Sequence, residues 1–281
     1  MARPQVTRLL DRPGGRALLG LAATAVLTIR ERRPCRVRYT GAWIHRHGDR
    51  TVVESKIVLT SPEALDARVD EMFLTEYTPA PGDVVVDVGA SVGRETAYLS
   101  RLVGPTGRVI AVEAHPRTFA MLESMVALNG LTNVTTTLRA IGADDSPVFL
   151  TDDETDHTRN RVSSSRTGVR VDGTTLIGLM EEVGIDRIDF LKMNIEGAEG
   201  PAIVAMGDRL GVVAHACISC HDFVADLYGD ETYRTKETVR AAFANAGFVT
   251  TSRDDPRPHI RDVVYAAAGV HADRPATPRR P

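Results

Sequence analysis

Short apolar runs alternate with helical patterns through the middle of the chain. The runs Val84–Val88, Ile188–Met193 and 212–219 are typical of parallel strands that are buried on both faces. Between such runs, segments like 96–103 and 117–128 carry apolar residues at helical spacing. This alternation predicts a doubly wound α/β sheet. Further strands are predicted at 108–113, 133–138, 248–251 and 263–267, and further helices at 174–183, 201–210 and 236–246.

The last two predicted strands, 248–251 and 263–267, have no helical pattern between them. Their link contains Pro256 and Pro258, whereas parallel strands need a crossover that is usually a helix. We therefore predict a mostly parallel, seven-stranded sheet with an antiparallel closing strand. This ending differs from that of an ordinary dinucleotide-binding fold.

An arginine-rich segment precedes this region. Residues 1–38 contain nine arginines against Asp11 and Glu31, so they carry a local charge of +7 while the whole chain has −3. The apolar stretch 17–29 is shorter than the ~20 residues that a membrane-spanning helix needs. It predicts a packed or surface-lying helix, with peripheral membrane contact as the alternative.

The remaining composition narrows the class of protein. The slightly acidic total argues against a dedicated nucleic-acid binder. Three cysteines are too few for a disulfide framework, and they favour cytoplasmic free thiols. Cys217 and Cys220 form a C-x-x-C in an apparent strand, where residues three apart point to opposite faces. We therefore predict no shared metal there.

A glycine-rich turn follows the strand Val84–Val88. Its glycines, Gly89 and Gly93, have the spacing G-x-x-x-G rather than the G-x-G-x-x-G of a dinucleotide site. Asp87 would repel a pyrophosphate but suits a cationic ligand, and ligands bind beyond the carboxyl ends of such strands. Glu113, at the end of the next strand, is placed to accept ribose hydroxyls, which both ligand classes carry. A purely structural glycine turn remains the alternative.

Residues 86–93 (VDVGASVG), followed by 113–116 (EAHP), resemble the nucleotide-binding half of class I S-adenosylmethionine-dependent methyltransferases. Residues 189–199 (DFLKMNIEGAE) resemble the hallmark of the FkbM family within that class. The resemblance covers roughly residues 80–268 and implies S-adenosylmethionine as the cofactor. We accordingly expect a basic extension (1–38), a subdomain or cap (39–79), a methyltransferase domain (80–268) and a disordered tail (269–281).

The resemblance also implies where the cofactor lies. The glycine-rich turn would line its methionine and ribose side, Glu113 would bind the ribose hydroxyls, and the residues after the third strand would flank the adenine. Glu95 would face the α-amino group, or it stabilises the N-terminus of its helix as an acid. The implied cofactor-binding residues are Asp87, Gly89, Ala90, Ser91, Gly93, Glu95, Glu113, Ala114, His115, Ala140 and Ile141.

Candidate catalytic residues follow the fourth and fifth predicted strands. We predict His221 as the base, since an ordinary histidine pKa suits proton removal near neutrality. Glu196 is the acid of the site. Asn194 stands where the commoner form of the family motif has an acid, and an amide orients ligands rather than removing protons. A divalent metal on Glu196, His221 and Asp222 is an alternative that the spacing does not support. Lys192 and Glu199 are interpreted as structural, as an edge-of-strand charge and a helix-start acid.

Two polar segments, 151–168 and 226–234, interrupt the α/β pattern and are typical of lids or substrate loops. They lack the aromatic residues that stack on nucleic-acid bases. We expect a small hydroxylated acceptor, such as a glycosylated compound or secondary metabolite, and O-methylation. The alternatives are an NAD-dependent oxidoreductase and a catalytically silent module of the same fold, which Asn194 makes worth testing. The oligomeric state is left open.

Overall fold

The computed structural model describes residues 12–153, 160, 162 and 167–269. Its helices are α1 (Pro13–Glu31), α2 (Pro62–Phe73), α3 (Arg94–Val103), α4 (Pro116–Leu128), α5 (Leu176–Val183), α6 (Glu199–Val204), α7 (Asp222–Tyr228), α8 (Lys236–Asn245) and α9 (Pro258–Arg261). Its strands are β1 (Cys35–Tyr39), β2 (Trp43–His47), β3 (Arg50–Glu54), β4 (Val84–Val88), β5 (Arg108–Glu113), β6 (Val134–Leu138), β7 (Ala140–Ile141), β8 (Val148–Leu150), β9 (Val169–Val171), β10 (Gly173–Thr174), β11 (Ile188–Met193), β12 (Val213–Ser219), β13 (Phe248–Thr251) and β14 (Val263–Ala268).

The seven-stranded sheet has the order β13-β14-β12-β11-β4-β5-β6. Strands β4, β5, β6, β11 and β12 pair in parallel, while β14 runs antiparallel to both β12 and β13. The predicted doubly wound sheet with an antiparallel closing strand is confirmed. Because the carboxyl ends of parallel strands meet at one edge, the segments that follow β4, β5, β11 and β12 lie side by side.

Both faces of the sheet are covered by apolar residues. Val86 and Leu191 belong to the cluster on one face, and Val85 and Phe190 to the cluster on the other. The two cysteines of the C-x-x-C are buried and divide in the same way, Cys220 with the first cluster and Cys217 with the second. The predicted separation of these thiols is confirmed.

Three predicted segments differ from the structure. The segment predicted as one helix at 201–210 is α6 followed by a 3₁₀ helix, Gly207–Val212, because the chain turns into a left-handed conformation at Gly207. The link before β14 contains the short helix α9. The polar segment 226–234 begins inside α7 rather than in a loop. Most of the predicted loop 151–168 and nearly all of the predicted tail lie outside the described residues.

The N-terminal part is a three-stranded antiparallel sheet, β1-β2-β3, with α1 along its outer edge. The backbone N–H groups of Val37 and Cys35 donate to the hydroxyls of Thr24 and Thr28 on α1, at 2.8 and 3.2 Å. A Cβ at Gly20 would lie only 2.8 Å from the carbonyl oxygen of Val37, so glycine is needed for this close approach. The helix thereby covers an edge strand that would otherwise expose unpaired backbone groups.

Helix α1 confirms the packed helix predicted over 17–29. Its inner face contributes Ala23 and Leu27 to a small core with Val37 and Trp43. Among the described residues, none of the helices is long and apolar enough to span a membrane.

Strand β3 joins this sheet to the larger domain. Val52 and Val53 pack with Met121 and Met125 of α4, and Thr51 exchanges two backbone hydrogen bonds with the side chain of Asn129, both of 2.9 Å. The expected boundary after residue 38 therefore falls inside β1, and the residues on both sides of it share one sheet.

Candidate active site

A cavity of about 410 Å³ opens where β4, β5 and β11 end. Its volume lies in the range of cofactor and small-molecule sites. The residues that line it are Val88, Gly89, Ser91, Val112, Glu113, Ala114, His115, Thr118, Arg139, Ala140, Ile141, Gly142, Val148, Leu150, Asn160, Val162, Asn194, Ile195, Glu196 and Ala198.

The glycine-rich turn forms one wall of this cavity. Gly89 has a φ of +75°, and a Cβ there would overlap the carbonyl of Asn194, so glycine is needed for the contact between the turns after β4 and β11. Gly93 has its Cα against Leu122 of α4 and does not line the cavity. The structure thus gives Gly93, a predicted cofactor-binding residue, a packing contact with α4 rather than a place in the cavity wall.

Asp87 lies beneath the turn rather than in the cavity. It is fully buried, with one carboxylate oxygen 2.9 Å from the ammonium of Lys192 and the other accepting a 2.7 Å hydrogen bond from Thr96. Lys192 also donates to the carbonyl of Gly89 at 2.9 Å. Asp87 therefore does not line the cavity; with Lys192 it fixes the turn from below. Lys192 is a buried partner and not the predicted edge-of-strand charge.

Glu113 ends β5 in the place expected for a ribose-binding acid. It lines the cavity, and its two carboxylate oxygens accept backbone N–H groups of Ser91 and His115, at 3.0 and 2.8 Å. Burial raises the pKa of this carboxyl, and the two N–H donors oppose that rise. Each oxygen keeps a lone pair for a further donor, so the carboxylate is fixed in place and still able to accept ribose hydroxyls.

Small and apolar residues line the part of the cavity next to Glu113. Ala140 and Ile141 form β7, which pairs with β10, and they face the cavity beside Ala114. His115 is buried there, with Nε2 3.4 Å from Asp152, and burial lowers the pKa of its imidazole. A neutral ring and an apolar slot suit a flat, uncharged base.

The turn after β11 brings Asn194 and Glu196 to the cavity. Asn194 has a buried side-chain oxygen without a hydrogen-bond partner among the described residues, which marks a place for a ligand donor. Glu196 has a φ of +56°, uncommon for a residue with a side chain, and its carboxylate is 46% exposed. Glu199 holds this turn by accepting the N–H groups of Ile195 and Gly197 at 3.0 and 2.9 Å.

His221 lies between two carboxylates and is shielded from solvent. Its Nδ1 is 2.9 Å from Glu199 and its Nε2 is 3.3 Å from Glu196. Burial alone would lower the pKa of the imidazole, but the hydrogen bonds and charges of Glu196 and Glu199 raise it to about 10. This environment favours the protonated imidazolium at neutral pH, which does not suit the predicted role of His221 as the base.

The alternative metal site is not formed either. One carboxylate oxygen of Asp222 accepts the backbone N–H groups of Thr235 and Lys236, at 2.9 and 3.0 Å, which ties it to the start of α8. Both ring nitrogens of His221 already face carboxylates.

Elsewhere, within the described part of the chain, Glu31, Cys35 and His47 have donor atoms close enough to hold a metal ion. The carboxylate of Glu31 is 2.9 Å from His47 and 2.7 Å from Arg33. This cluster lies outside the cavity, and its ion pairs explain it without a metal.

The predicted site residues thus divide into two groups. Those that line the cavity are Gly89, Ser91, Glu113, Ala114, His115, Ala140, Ile141, Asn194 and Glu196. Those that do not are Asp87, Ala90, Gly93, Glu95 and His221. Ala90 is fully buried. Glu95 lies in the first turn of α3, where an acid stabilises the N-terminus of the helix, as its alternative interpretation expects.

Sequence reasoning missed the wall formed by Val148 and Leu150. These residues belong to β8, which pairs with β9 to make a hairpin around the predicted loop. Two short apolar runs at either side of the polar segment were the available signal.

The seven-stranded sheet with its antiparallel closing strand is the Rossmann-like α/β fold expected for class I S-adenosylmethionine-dependent methyltransferases. Residues 87–231, just over half of the chain, match the family model described as Methyltransferase FkbM domain. The chain belongs to this family, and its cofactor is S-adenosylmethionine. The cavity fits that group: it offers the acid Glu113 where the family resemblance expects the ribose, an apolar slot, and an amide oxygen of Asn194 that lacks a hydrogen-bond partner within the described part of the chain.

Individual proteins resemble the chain more distantly. A protein-L-isoaspartate O-methyltransferase from Methanopyrus kandleri is 38% identical over 69 residues, which is 24% of this chain and 30% of that protein. The match thus spans less than a third of that relative's length.

Among solved structures, the methyltransferase FkbM from Methylobacillus flagellatus KT is 16% identical, with a TM-score of 0.46 over 73% of this chain and 50% of that one. The fibrillarin from Aeropyrum pernix, crystallised with S-adenosyl-L-methionine, is 14% identical, with a TM-score of 0.45 over 84% of this chain and all of that one.

Proposed function

We propose that the chain transfers the methyl group of S-adenosylmethionine to a hydroxyl oxygen of a small polar acceptor. When bound, the cofactor would supply a methyl group activated by a positively charged sulfur, with a neutral thioether as the leaving group. The chain's own residues then have to hold the cofactor, orient the acceptor and receive the hydroxyl proton.

One observation carries the proposal: the carboxylate of Glu196 lines the cavity and lies 3.3 Å from Nε2 of the buried His221, whose Nδ1 is held by a second carboxylate, Glu199, at 2.9 Å. A hydroxyl becomes strongly acidic as its oxygen bonds to carbon, so a carboxylate is a sufficient base at that moment. Glu199 anchors the imidazolium, and the imidazolium orients Glu196. Asn194, with its unpartnered amide oxygen, can accept a hydrogen bond from the cofactor or the acceptor.

Oxygen as the acceptor atom has two supports. An amine acceptor would arrive protonated at neutral pH and would need a stronger base than a carboxylate, whereas a hydroxyl arrives neutral. The Methanopyrus protein that the chain resembles over 69 residues also carries the name of an O-methyltransferase. The polar segment around the β8–β9 hairpin favours a polar, hydroxylated molecule over an apolar one.

The test uses S-adenosylmethionine with a deuterated methyl group and a panel of sugars, glycosides and phenols, with mass spectrometry as the readout. We expect the label on oxygen. In Glu196→Gln, turnover should fall by about 10²- to 10⁴-fold, the range that general bases contribute, while binding of S-adenosylhomocysteine stays unchanged. Glu237→Gln, an exposed glutamate of α8, is the matched control and should keep full activity.

Two outcomes would contradict the proposal. Label found on nitrogen or carbon would exclude O-methylation, and full turnover of Glu196→Gln would exclude Glu196 as the proton acceptor. Cofactor binding without transfer to any acceptor class would favour the silent binding module instead.

A further inference from the structure

Helix α1 presents apolar side chains to solvent on the side that faces away from its own sheet. Leu18, Leu21, Val26 and Ile29 are 67%, 68%, 46% and 78% exposed. They recur at helical spacing, together with the exposed Ala22 and Ala25. We call these six residues the outer face of α1.

The inner side of the same helix is fixed. Gly20, Ala23 and Leu27 are buried against β1, and Thr24 and Thr28 accept hydrogen bonds from its backbone. The helix therefore cannot turn its outer face inward without losing this packing. Exposed apolar side chains gathered on one helix mark a contact surface rather than scattered exposure.

The segment of chain that contains the outer face is strongly basic. Residues 12–38 contain seven arginines and one acid, Glu31, and Glu31 is already paired with His47 and Arg33. Arg12, at the start of the helix, and Arg32, just after its end, are exposed and form no ion pair among the described residues.

We propose that the outer face of α1 lies on an anionic lipid surface, parallel to the membrane plane. An apolar helical face between arginines is the pattern of interfacial helices, whose apolar side chains enter the boundary of the bilayer while the basic ones contact the headgroups. The helix is held along β1, so it lies on the membrane and does not cross it.

A second copy of the chain fits this surface less well. A stable protein interface buries about 800 Å² on each partner and uses roughly 20–30 residues a side, whereas the outer face consists of six residues, two of them alanines. Two copies would also bring two sets of unpaired arginines together. The proposal concerns a surface outside the cavity and does not depend on the methyl-transfer reaction.

The test is flotation of the full-length chain with vesicles of phosphatidylglycerol and phosphatidylcholine, and with vesicles of phosphatidylcholine alone. We expect binding to the anionic vesicles, weaker binding to the neutral ones, and weakening by salt. The triple variant L18S/L21S/I29S should bind at least about tenfold more weakly, since each leucine or isoleucine loses most of its apolar surface. L227S/V249S, which replaces residues exposed on other surfaces, is the matched control and should bind like the wild type.

A second variant keeps the proposal testable if the triple variant does not fold. R12Q/R32Q keeps the apolar face and should lower binding to the anionic vesicles and reduce its salt dependence. No binding of the wild type to anionic vesicles, or unchanged binding of both variants, would overturn the proposal. So would a lipid-free dimer that L18S/L21S/I29S converts to monomers, because the outer face would then be an interface between copies.

Discussion

Two clusters of opposite charges lie at the carboxyl ends of neighbouring strands. Under β4 and β11, Asp87 and Lys192 form an ion pair of 2.9 Å, and both side chains are almost fully buried. After β11 and β12, His221 lies between Glu199, which is fully buried, and Glu196, which is 46% exposed. Each cluster pairs carboxylates with a basic side chain. The two clusters differ in that a carboxylate of the second one, Glu196, reaches the cavity.

This difference separates positioning from chemistry. The first cluster holds the glycine-rich turn in place through the bond from Lys192 to the carbonyl of Gly89. Neither side chain lines the cavity. In the second cluster, Glu199 accepts a hydrogen bond from His221, and His221 in turn orients Glu196 towards the cavity. Substitutions should therefore act mainly on stability in the first cluster and on turnover in the second.

The largest expected effect is on stability. Lys192→Met leaves Asp87 as a buried charge without its cation, which should cost about 3–5 kcal/mol of unfolding free energy. Denaturant unfolding measures it, and the exposed Arg209→Met is the control, expected within about 0.5 kcal/mol of the wild type. The double variant D87N/K192M should recover part of the loss. An unchanged stability of Lys192→Met would contradict the positioning role.

A smaller effect is expected at the second cluster. Glu199→Gln keeps the shape of the side chain but removes one of the two carboxylates that raise the pKa of His221. The pKa should fall below its wild-type value of about 10, and the disturbed hydrogen bonds should cost about 1–3 kcal/mol. NMR titration of the imidazole measures the pKa; an unchanged value would show that Glu199 does not hold the proton on the ring.

The smallest expected effect is a change in how the free energy of unfolding depends on pH. Because the pKa of His221 is about 10 in the folded state against 6.5 for the free side chain, the folded chain binds the proton more tightly between these values. The stabilisation is complete below pH 6.5 and is lost as the pH rises towards 10, by at most about 1.4 kcal/mol per pH unit. His221→Gln should remove this part of the slope. Parallel stability curves for the two proteins would contradict it.

Strands β4, β11 and β12 were predictable because each is a nearly continuous apolar run. The bounds of β4, β11 and β13 follow from the sequence to the residue. The break between α6 and the 3₁₀ helix could not be predicted, because the apolar spacing continues through it and only Gly207 marks the turn.

The cavity could be located from the sequence, but the partners of its charges could not. Asp87 looks like a ligand for a cation until Lys192, far along the chain, is seen beneath it. An ordinary histidine pKa suggested that His221 is a base. The two glutamates that flank the ring in space instead raise its pKa and favour the protonated form. Spacing along one strand shows neither pairing, because each joins residues from different strand ends.

The most direct test of the account is calorimetric titration with S-adenosylhomocysteine. We expect one molecule to bind per chain, no binding of NAD, and roughly 10- to 100-fold weaker binding by Glu113→Gln, since hydrogen bonds to a charged group contribute about 1.5–3 kcal/mol. Absence of binding by the wild type, or equal affinity of Glu113→Gln, would show that this cavity is not the cofactor site.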